Sequence, residues 1–334
     1  MSGNILICGV NWIGDTVMSM PAIQAFRGLH PSARIALLIK PALRPLWSLH
    51  DVPDDVIDIQ PGAIGTLRTA ARVRERGPFA RAYILPHSIR SALIPRLAGV
   101  PERIGMPGHF RDPLLTEVIP PAGGPGRDHQ VYEYLDLLTP EERGKPWTPP
   151  RLQVPDDERA LAEELVRDLN RPLVALIPGA ARGPSKQWPA EHFVALGQRL
   201  SKERACGIMV LGAPAERDLC GAIADAIGAS ARNLAGRTEF TQWAALLQIA
   251  RLVVANDSGG MHVAAALGAP VLALYGVTDP TKTGPLSSRA RVLQQADSGH
   301  RDVARASEAA RNALAAITPQ EAYDVALDLL DAGD

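Results

Sequence analysis

The feature that most constrains this chain is an alternation, run twice, of short apolar segments with longer amphipathic ones. In the first half NILICGV (4–10), RIALLI (34–39), VIDI (56–59) and RAYIL (81–85) read as strands. The stretches from about Asp15 to Leu29, 62–76 and 88–98 read as helices between them. Apolar runs bounded by turn residues and separated by helices describe parallel βαβ units covered on both faces. The pattern loosens after Gly99 and resumes as a helix over 128–138. From Thr139 to Asp157 it gives way to TPEERGKPWTPPRLQVPDD, whose five prolines and lack of periodicity mark a linker or boundary. The second half repeats the first. Strands are predicted at 172–178, 206–212, 251–256 and 270–276, and helices near 189–201, 214–226, 240–250 and 258–267. A last helix opens on Thr318-Pro-Gln-Glu321, an N-cap threonine with glutamate three residues on. The pattern predicts an α/β protein of two doubly wound domains, divided as 1–155 and 156–334. Two such domains facing one another place their strand ends around a common cleft.

Composition narrows the function. With 35 basic against 36 acidic residues the chain lacks the basic excess of a phosphate-backbone binder, so nucleic acid is not an expected partner. No apolar run reaches the ~18 residues of a membrane span. The opening MSGNILICGVNWIGD lacks the basic start and cleavage site of a secretory signal, which predicts a cytoplasmic protein. Cys8, Cys206 and Cys220 have neither zinc-site nor disulfide spacing and read as small core residues.

Four loops carry chemistry. The first strand runs into Gly9-Val-Asn-Trp-Ile-Gly14-Asp15-Thr16, which has P-loop spacing with aspartate in place of lysine. An aspartate there repels phosphates, and G-x-G-x-x-G fails at Asn11, so the loop is not a phosphate cradle. Asp15 reads either as a helix-start acid or as a general base. In the second half, PGAARGPSKQWP puts Lys186, one of five lysines, between a strand end and a helix start. It is a candidate diphosphate clamp, or else a solvated loop cation. Glu216, after the strand GIMVLG, reads as a ribose acceptor or a first-turn glutamate. In VVANDSGGMHVAAALG, the N–H groups of Gly259 and Gly260 suit an anion, and Asp257 suits sugar hydroxyls or an N-cap. His262 there reads as a ligand contact or a half-buried histidine. No D-x-D occurs, which weakens any role for a divalent metal in carrying a diphosphate.

Together these segments resemble the bacterial ADP-heptose:lipopolysaccharide heptosyltransferases of glycosyltransferase family nine. The matching stretches run from ILICGVNWIGDTVMSMPAIQAF through LIPGAARGPSKQWPAEHF and VVANDSGGMHVAAALGAPVLALYG to DPTKTGPLS, residues 4 to about 287. The W-I-G-D-T loop resembles the heptosyltransferase II branch. The resemblance implies a GT-B fold and inverting, metal-independent transfer from ADP-heptose to a lipid A–core acceptor, without a cofactor. It implies that Asp15 is the catalytic base. It places the donor on the C-terminal domain at Ala181, Arg182, Lys186, Glu216, Thr238, Asp257, Ser258, Gly259 and His262. The acceptor falls to the N-terminal domain, where fold position points to Arg90 and Ser91. The last helix is able to pack back on that domain. Peripheral contact with the cytoplasmic face of the inner membrane is also implied. The cluster Arg68, Arg72, Arg74, Arg76 and Arg81 reads as its basic surface or as a solvated helix face. The chain departs from the branch in 294–317, which has no cysteine, and in 100–130, where the fit is loose. A GT-B enzyme using another nucleotide sugar, as transferase or epimerase, and a non-catalytic nucleotide-sugar-binding protein are the alternatives.

Overall fold

The computed structural model describes residues 3–108, 110–295, 304 and 307–332. The chain forms two compact units, Met1–Pro150 and Arg151–Asp334. The proline-rich segment thus contains the division, and its last residues already belong to a helix.

The N-terminal unit runs β1 (Asn4–Cys8), α1 (Ile13–Leu29), β2 (Arg34–Ile39), a short α2 (Arg44–Trp47), β3 (Asp55–Asp58) and α3 (Gly62–Arg76). It continues with β4 (Arg81–Ile84), α4 (Ile89–Leu97), β5 (Glu102–Gly105), β6 (Glu117–Val118) and α5 (Val131–Leu138). The six strands form one sheet in the order β3-β2-β1-β4-β5-β6, every pair parallel. Consecutive strand residues face opposite sides. Leu6, Cys8, Ala36 and Leu38 accordingly pack with Ala70 and Val73 of α3 and Ala92 of α4. Ile5, Ile7, Ile35 and Leu37, in the alternate positions, are buried as well. That two-sided burial explains why these strands read as continuous apolar runs rather than alternating ones.

The C-terminal unit runs α6 (Asp156–Leu165), β7 (Leu173–Ile177), α7 (Ala190–Arg204), β8 (Gly207–Val210), α8 (Arg217–Ile227), β9 (Ala231–Asn233) and α9 (Phe240–Ile249). Then come β10 (Leu252–Asn256), α10 (Gly259–Ala266), β11 (Val271–Tyr275), α11 (Pro280–Thr283), β12 (Ala290–Gln294), α12 (Glu308–Ala315) and α13 (Pro319–Asp331). Its sheet is ordered β12-β11-β10-β7-β8-β9, again all parallel. Counted from the first strand of each unit, the two orders are the same, 3-2-1-4-5-6. Helix α13 begins as its sequence predicts: Thr318 Oγ1 accepts from the Glu321 amide at 3.2 Å, and the Glu321 carboxylate accepts from the Thr318 amide at 2.8 Å. These two bonds satisfy amide donors that have no partner inside the helix. Its buried face, Tyr323, Ala326 and Leu330, joins Val174, Leu176 and Phe193 in the core of this unit. Most of the cysteine-free stretch between β12 and α12 lies outside the described residues.

In each sheet the chain direction of strand addition reverses once, between β1 and β4 and between β7 and β10. At these switch points the following loops part to opposite faces and leave a crevice at the strand carboxyl ends, where open α/β sheets take ligands.

Candidate active site

Asp15 follows β1. Trp12, in extended conformation, is the N-cap of α1, so Asp15 is a first-turn residue and not the cap. Trp12 makes no side-chain cap bond, and its carbonyl instead takes the Thr16 hydroxyl at 2.8 Å. Gly9 has a separate reason to be glycine, since a Cβ would come 2.8 Å from Ile39 Cγ2. The glycine lets β1 lie close to β2, and Asp15 stands half-buried beyond the switch point of the first sheet.

Arg90 and Ser91 follow β4, on the other side of that switch point. The Arg90 guanidinium donates to Thr66 Oγ1 at 3.0 Å and to the Gln60 and Gly62 carbonyls. Ser91 Oγ donates to the Ser88 carbonyl at 2.6 Å, while its amide donates to Ser88 Oγ, the cap of α4. In this arrangement both residues act within the fold, fixing the first turns of α3 and α4. The basic cluster separates as well. Arg76 pairs with Asp55 at 2.8 Å, Arg81 pairs with Glu102, and Arg74 donates to the Leu97 carbonyl at 2.5 Å.

In the second sheet the residues gather at the ends of β7, β10 and β11. After β7, Gly183 sits at φ +84°, a conformation that disfavours any side chain, and turns the chain into Pro184-Ser185-Lys186. Ser185 is buried, its hydroxyl donating to Ala304 O at 2.6 Å and accepting from the Ser307 amide at 2.9 Å. Asn256, the last residue of β10, accepts from the Trp188 amide at 2.9 Å and donates to the Pro178 carbonyl at 2.8 Å. It therefore ties both ends of the loop that carries the lysine.

Lys186 Nζ lies 2.5 Å from Asp257 Oδ2, with the two side chains 13% and 9% exposed. It is an engaged, nearly buried cation rather than a solvated one. Thr278, after β11, donates to the same Asp257 oxygen at 2.7 Å. Asp257 does not cap α10: the N-cap is Ser258, and Asp257 points into the Lys186–Thr278 cluster. Tyr275 is buried beside it. Burial first, then the negative Asp257, push the phenol well above its ordinary pKa, and it donates to the Thr283 carbonyl at 2.8 Å.

Ser258 has no side-chain cap bond, and its buried hydroxyl has no hydrogen-bond partner among the described residues. A lone buried hydroxyl at a helix start is costly unless something completes it. Gly259 and Gly260 form the first turn. A Cβ on Gly260 would stand 2.9 Å from Ile177 Cδ1, so glycine lets α10 approach β7. His262, one turn in, is buried in the helix. Glu216 lies just before α8, and its carboxylate accepts from the Ala213 amide at 2.8 Å. A Cβ on Gly179 would fall only 1.9 Å from Glu216 Oε1, so this acid lies directly over the end of β7. Ala181 and Arg182 stand in the loop after β7, Ala181 exposed and Arg182 half-buried. Thr238 lies in the loop between β9 and α9, half-buried. The C-terminal set thus converges on one sheet end, with Thr278 and Asn256 as members that the sequence reading missed. Asn256 ends an apolar strand and Thr278 follows another a few residues on, and neither has a spacing signal.

Two doubly wound units of identical strand order, one with a carboxylate at its switch point and the other with a lysine, two acids and an open helix start, have the architecture of the GT-B fold. The model for glycosyltransferase family 9 (heptosyltransferase) matches residues 67–311. The lipopolysaccharide heptosyltransferase 2 of Escherichia coli is 32% identical over 276 residues, covering 78% of this chain and 79% of that protein. The solved ADP-heptose lps heptosyltransferase II of E. coli superposes with a TM-score of 0.85 at 31% identity, covering 100% of this chain and 99% of that one. A family 9 glycosyl transferase from Veillonella parvula, at 20% identity, shares the fold with a TM-score of 0.87 and covers 99% and 98% of the two chains. This chain belongs to glycosyltransferase family 9, the heptosyltransferases.

Proposed function

We propose that the protein moves heptose from ADP-heptose to the inner core of lipopolysaccharide, in the manner of a heptosyltransferase II, with inversion and without a metal ion. One observation carries the reading: a nearly buried lysine on an aspartate, beside an unpartnered serine hydroxyl at the start of α10. A cation and helix-start N–H groups suit a diphosphate, and the unpartnered hydroxyl supplies a further donor. Asp257 and Glu216 are acceptors suited to sugar and ribose hydroxyls, with Ala181, Arg182, Thr238, Gly259 and His262 completing the donor surface. ADP-heptose and lipopolysaccharide are taken from the E. coli heptosyltransferases to which the chain is similar.

In the reaction, Asp15 accepts the proton of the acceptor hydroxyl as that oxygen attacks the anomeric carbon from the face opposite ADP. The new C–O bond forms while the bond to the diphosphate breaks. Negative charge grows on the leaving group, where Lys186 and the N–H groups of Gly259 and Gly260 stabilise it more than in the ground state. For Arg90 to meet an acceptor phosphate, it must exchange the Gln60 and Gly62 carbonyls for phosphate oxygens. The enzyme works from the cytoplasmic side, in peripheral contact with the inner membrane that carries its acceptor.

The test offers ADP-heptose and UDP-sugars with a lipid A–core acceptor in the presence of EDTA, and reads product by mass spectrometry and anomeric configuration by NMR. Transfer from ADP-heptose alone, inverted and unaffected by EDTA, is expected. Use of a UDP-sugar in preference, or loss of transfer on chelation, overturns the reading.

A further inference from the structure

The membrane half of that reading acquires a specific surface from the N-terminal unit. Helix α3 buries Thr66, Thr69, Ala70 and Val73 against its sheet. Its opposite face, at the 3–4 residue spacing of one helical stripe, carries Ile64, Leu67, Arg68, Ala71 and Arg72, all exposed. Ile64 is 68% and Leu67 61% exposed, unusual for large aliphatic side chains in consecutive turns. Two further large apolar side chains are exposed in neighbouring segments of the same unit. Ile89, 46% exposed, opens α4, whose first turn is tied to that of α3 through Arg90. Phe110, 93% exposed, sits on the loop after β5, and the 3-10 turn that follows it packs against α4. All four apolar residues follow strand carboxyl ends, the same end of the sheet at which Asp15 stands.

The charges on this face decide its partner. Of the arginines of α3, Arg74 and Arg76 are held by Leu97 and Asp55. Arg68 and Arg72 make no hydrogen bond or ion pair with any described residue, and both flank the exposed aliphatics. Aliphatic tips among unneutralised arginines suit neither a water-facing helix, which would lack the aliphatics, nor an ordinary protein interface core, which would lack the unpaired charge. They suit the headgroup level of an anionic bilayer, where apolar side chains reach the acyl boundary and guanidinium groups meet lipid phosphates. No helix among the described residues is long and apolar enough to cross a membrane, so attachment by this face would be peripheral.

We infer that the outer face of α3 is a docking surface for an anionic lipid bilayer, with Ile89 and Phe110 as further apolar tips at the same end of the sheet, and that it brings the carboxyl end of the first sheet to the membrane. The inference rests on the lipid-borne acceptor proposed above. The full chain is sedimented with vesicles of neutral phosphatidylcholine and with vesicles containing phosphatidylglycerol. The wild type is expected to partition to the anionic vesicles and to lose that preference at high salt. R68E/R72E is expected to lower the partition by about 30-fold or more, each arginine near such a surface contributing about fivefold. I64S/L67S is expected to lower it by about tenfold or more by removing the apolar anchor. Circular dichroism of both variants checks that α3 remains folded, and transfer to an acceptor stripped of its acyl chains should match wild type. Vesicle binding that is absent in the wild type, or unchanged in both variants, overturns the docking surface. So does a wild type that forms a dimer which I64S/L67S breaks, since the face would then be covered by a second copy. Failure of transfer to the deacylated acceptor by the wild type would count against the proposed activity and not against the surface.

Discussion

Replacing Lys186 with alanine separates what this lysine does for the fold from what it does for a ligand. Its ammonium stands 2.5 Å from Asp257, with both side chains nearly buried. Removing one member of a buried ion pair costs about 3–5 kcal/mol, because the remaining charge has lost its partner. Here Lys186 keeps some solvent contact, and Asp257 keeps the Thr278 hydroxyl at 2.7 Å. The expected loss is therefore smaller, about 2–3 kcal/mol. In a unit of this size that lowers the melting transition by about 4–12 °C. ADP should bind more weakly too. A hydrogen bond to a charged group is worth about 1.5–3 kcal/mol, so affinity should fall about 10- to 150-fold. The double variant K186A/D257N removes the stranded charge. It should recover most of the lost melting temperature and none of the lost ADP affinity. Scanning calorimetry and isothermal titration with ADP in EDTA read the two effects separately. ADP affinity within twofold of wild type in K186A would refute the assignment of Lys186 to the diphosphate. A double variant no more stable than K186A would refute the account of the buried pair.

Three further outcomes follow from the same geometry. Asp15→Asn should reduce turnover by about 10²–10⁴ while leaving ADP affinity unchanged; retained turnover would remove Asp15 from the proton transfer. Ser258→Ala deletes a buried hydroxyl that has no partner among the described residues, so the melting temperature should hold or rise while ADP binds about 2- to 10-fold more weakly, and a loss of stability would show that the hydroxyl is satisfied in the free protein. His50 is held neutral: burial, opposed by Asp51, pushes its pKa down to about 4, with Nδ1 accepting from the Val52 amide at 3.1 Å and Nε2 beside Gln24 Oε1. The unfolded chain binds this proton first, so the N-terminal unit should lose stability as pH falls from about 6.5 to about 4, by up to about 3 kcal/mol. His50→Gln should flatten that part of the pH profile in urea titrations, and an unaltered profile would assign the acid sensitivity elsewhere.

What the sequence made legible, and what it did not, follows from how each element is buried. Strands β1, β2, β7 and β10 lie inside their sheets with both faces covered, so their apolar runs stand out against the helices. Strand β9, Ala231–Asn233, is three residues at a sheet edge, half-buried, with one apolar side chain. Strand β6 is two exposed residues and β12 is another partly exposed edge. β6 and β9 leave no hydrophobic signature, β12 has only Val292 and Leu293 side by side between Arg291 and Gln294, and each went unpredicted. Helix α6 escaped because its first residues follow Pro155 in a proline-rich run, and among its described residues only Ala162 is fully buried. At the site, Asp15, Lys186 and Asp257 were visible because each follows an apolar run at a turn. The partnership of Lys186 with Asp257 was not, since it joins residues 71 apart and depends on which strands are neighbours. The bonds of Arg90 and Ser91 to local backbone carbonyls carry no sequence pattern. The heptosyltransferase likeness and the GT-B fold it implied are borne out by the family match and the superposition.

The tether made by Asn256 has a consequence for how such an enzyme diversifies. One amide side chain holds Pro178 and Trp188, the two shoulders of the lysine loop, while Ser185 fastens its middle to the start of α12. The loop that carries Lys186 is thereby fixed independently of the loops after β8 and β9, because its shoulders and middle are fastened elsewhere. On the proposed function, changes at Glu216 or Thr238 leave that lysine in place, whereas changes at Asp257, its ion-pair partner, do not. A library for a new donor on this scaffold therefore varies the loop after β9 and leaves Asn256 and Asp257 untouched.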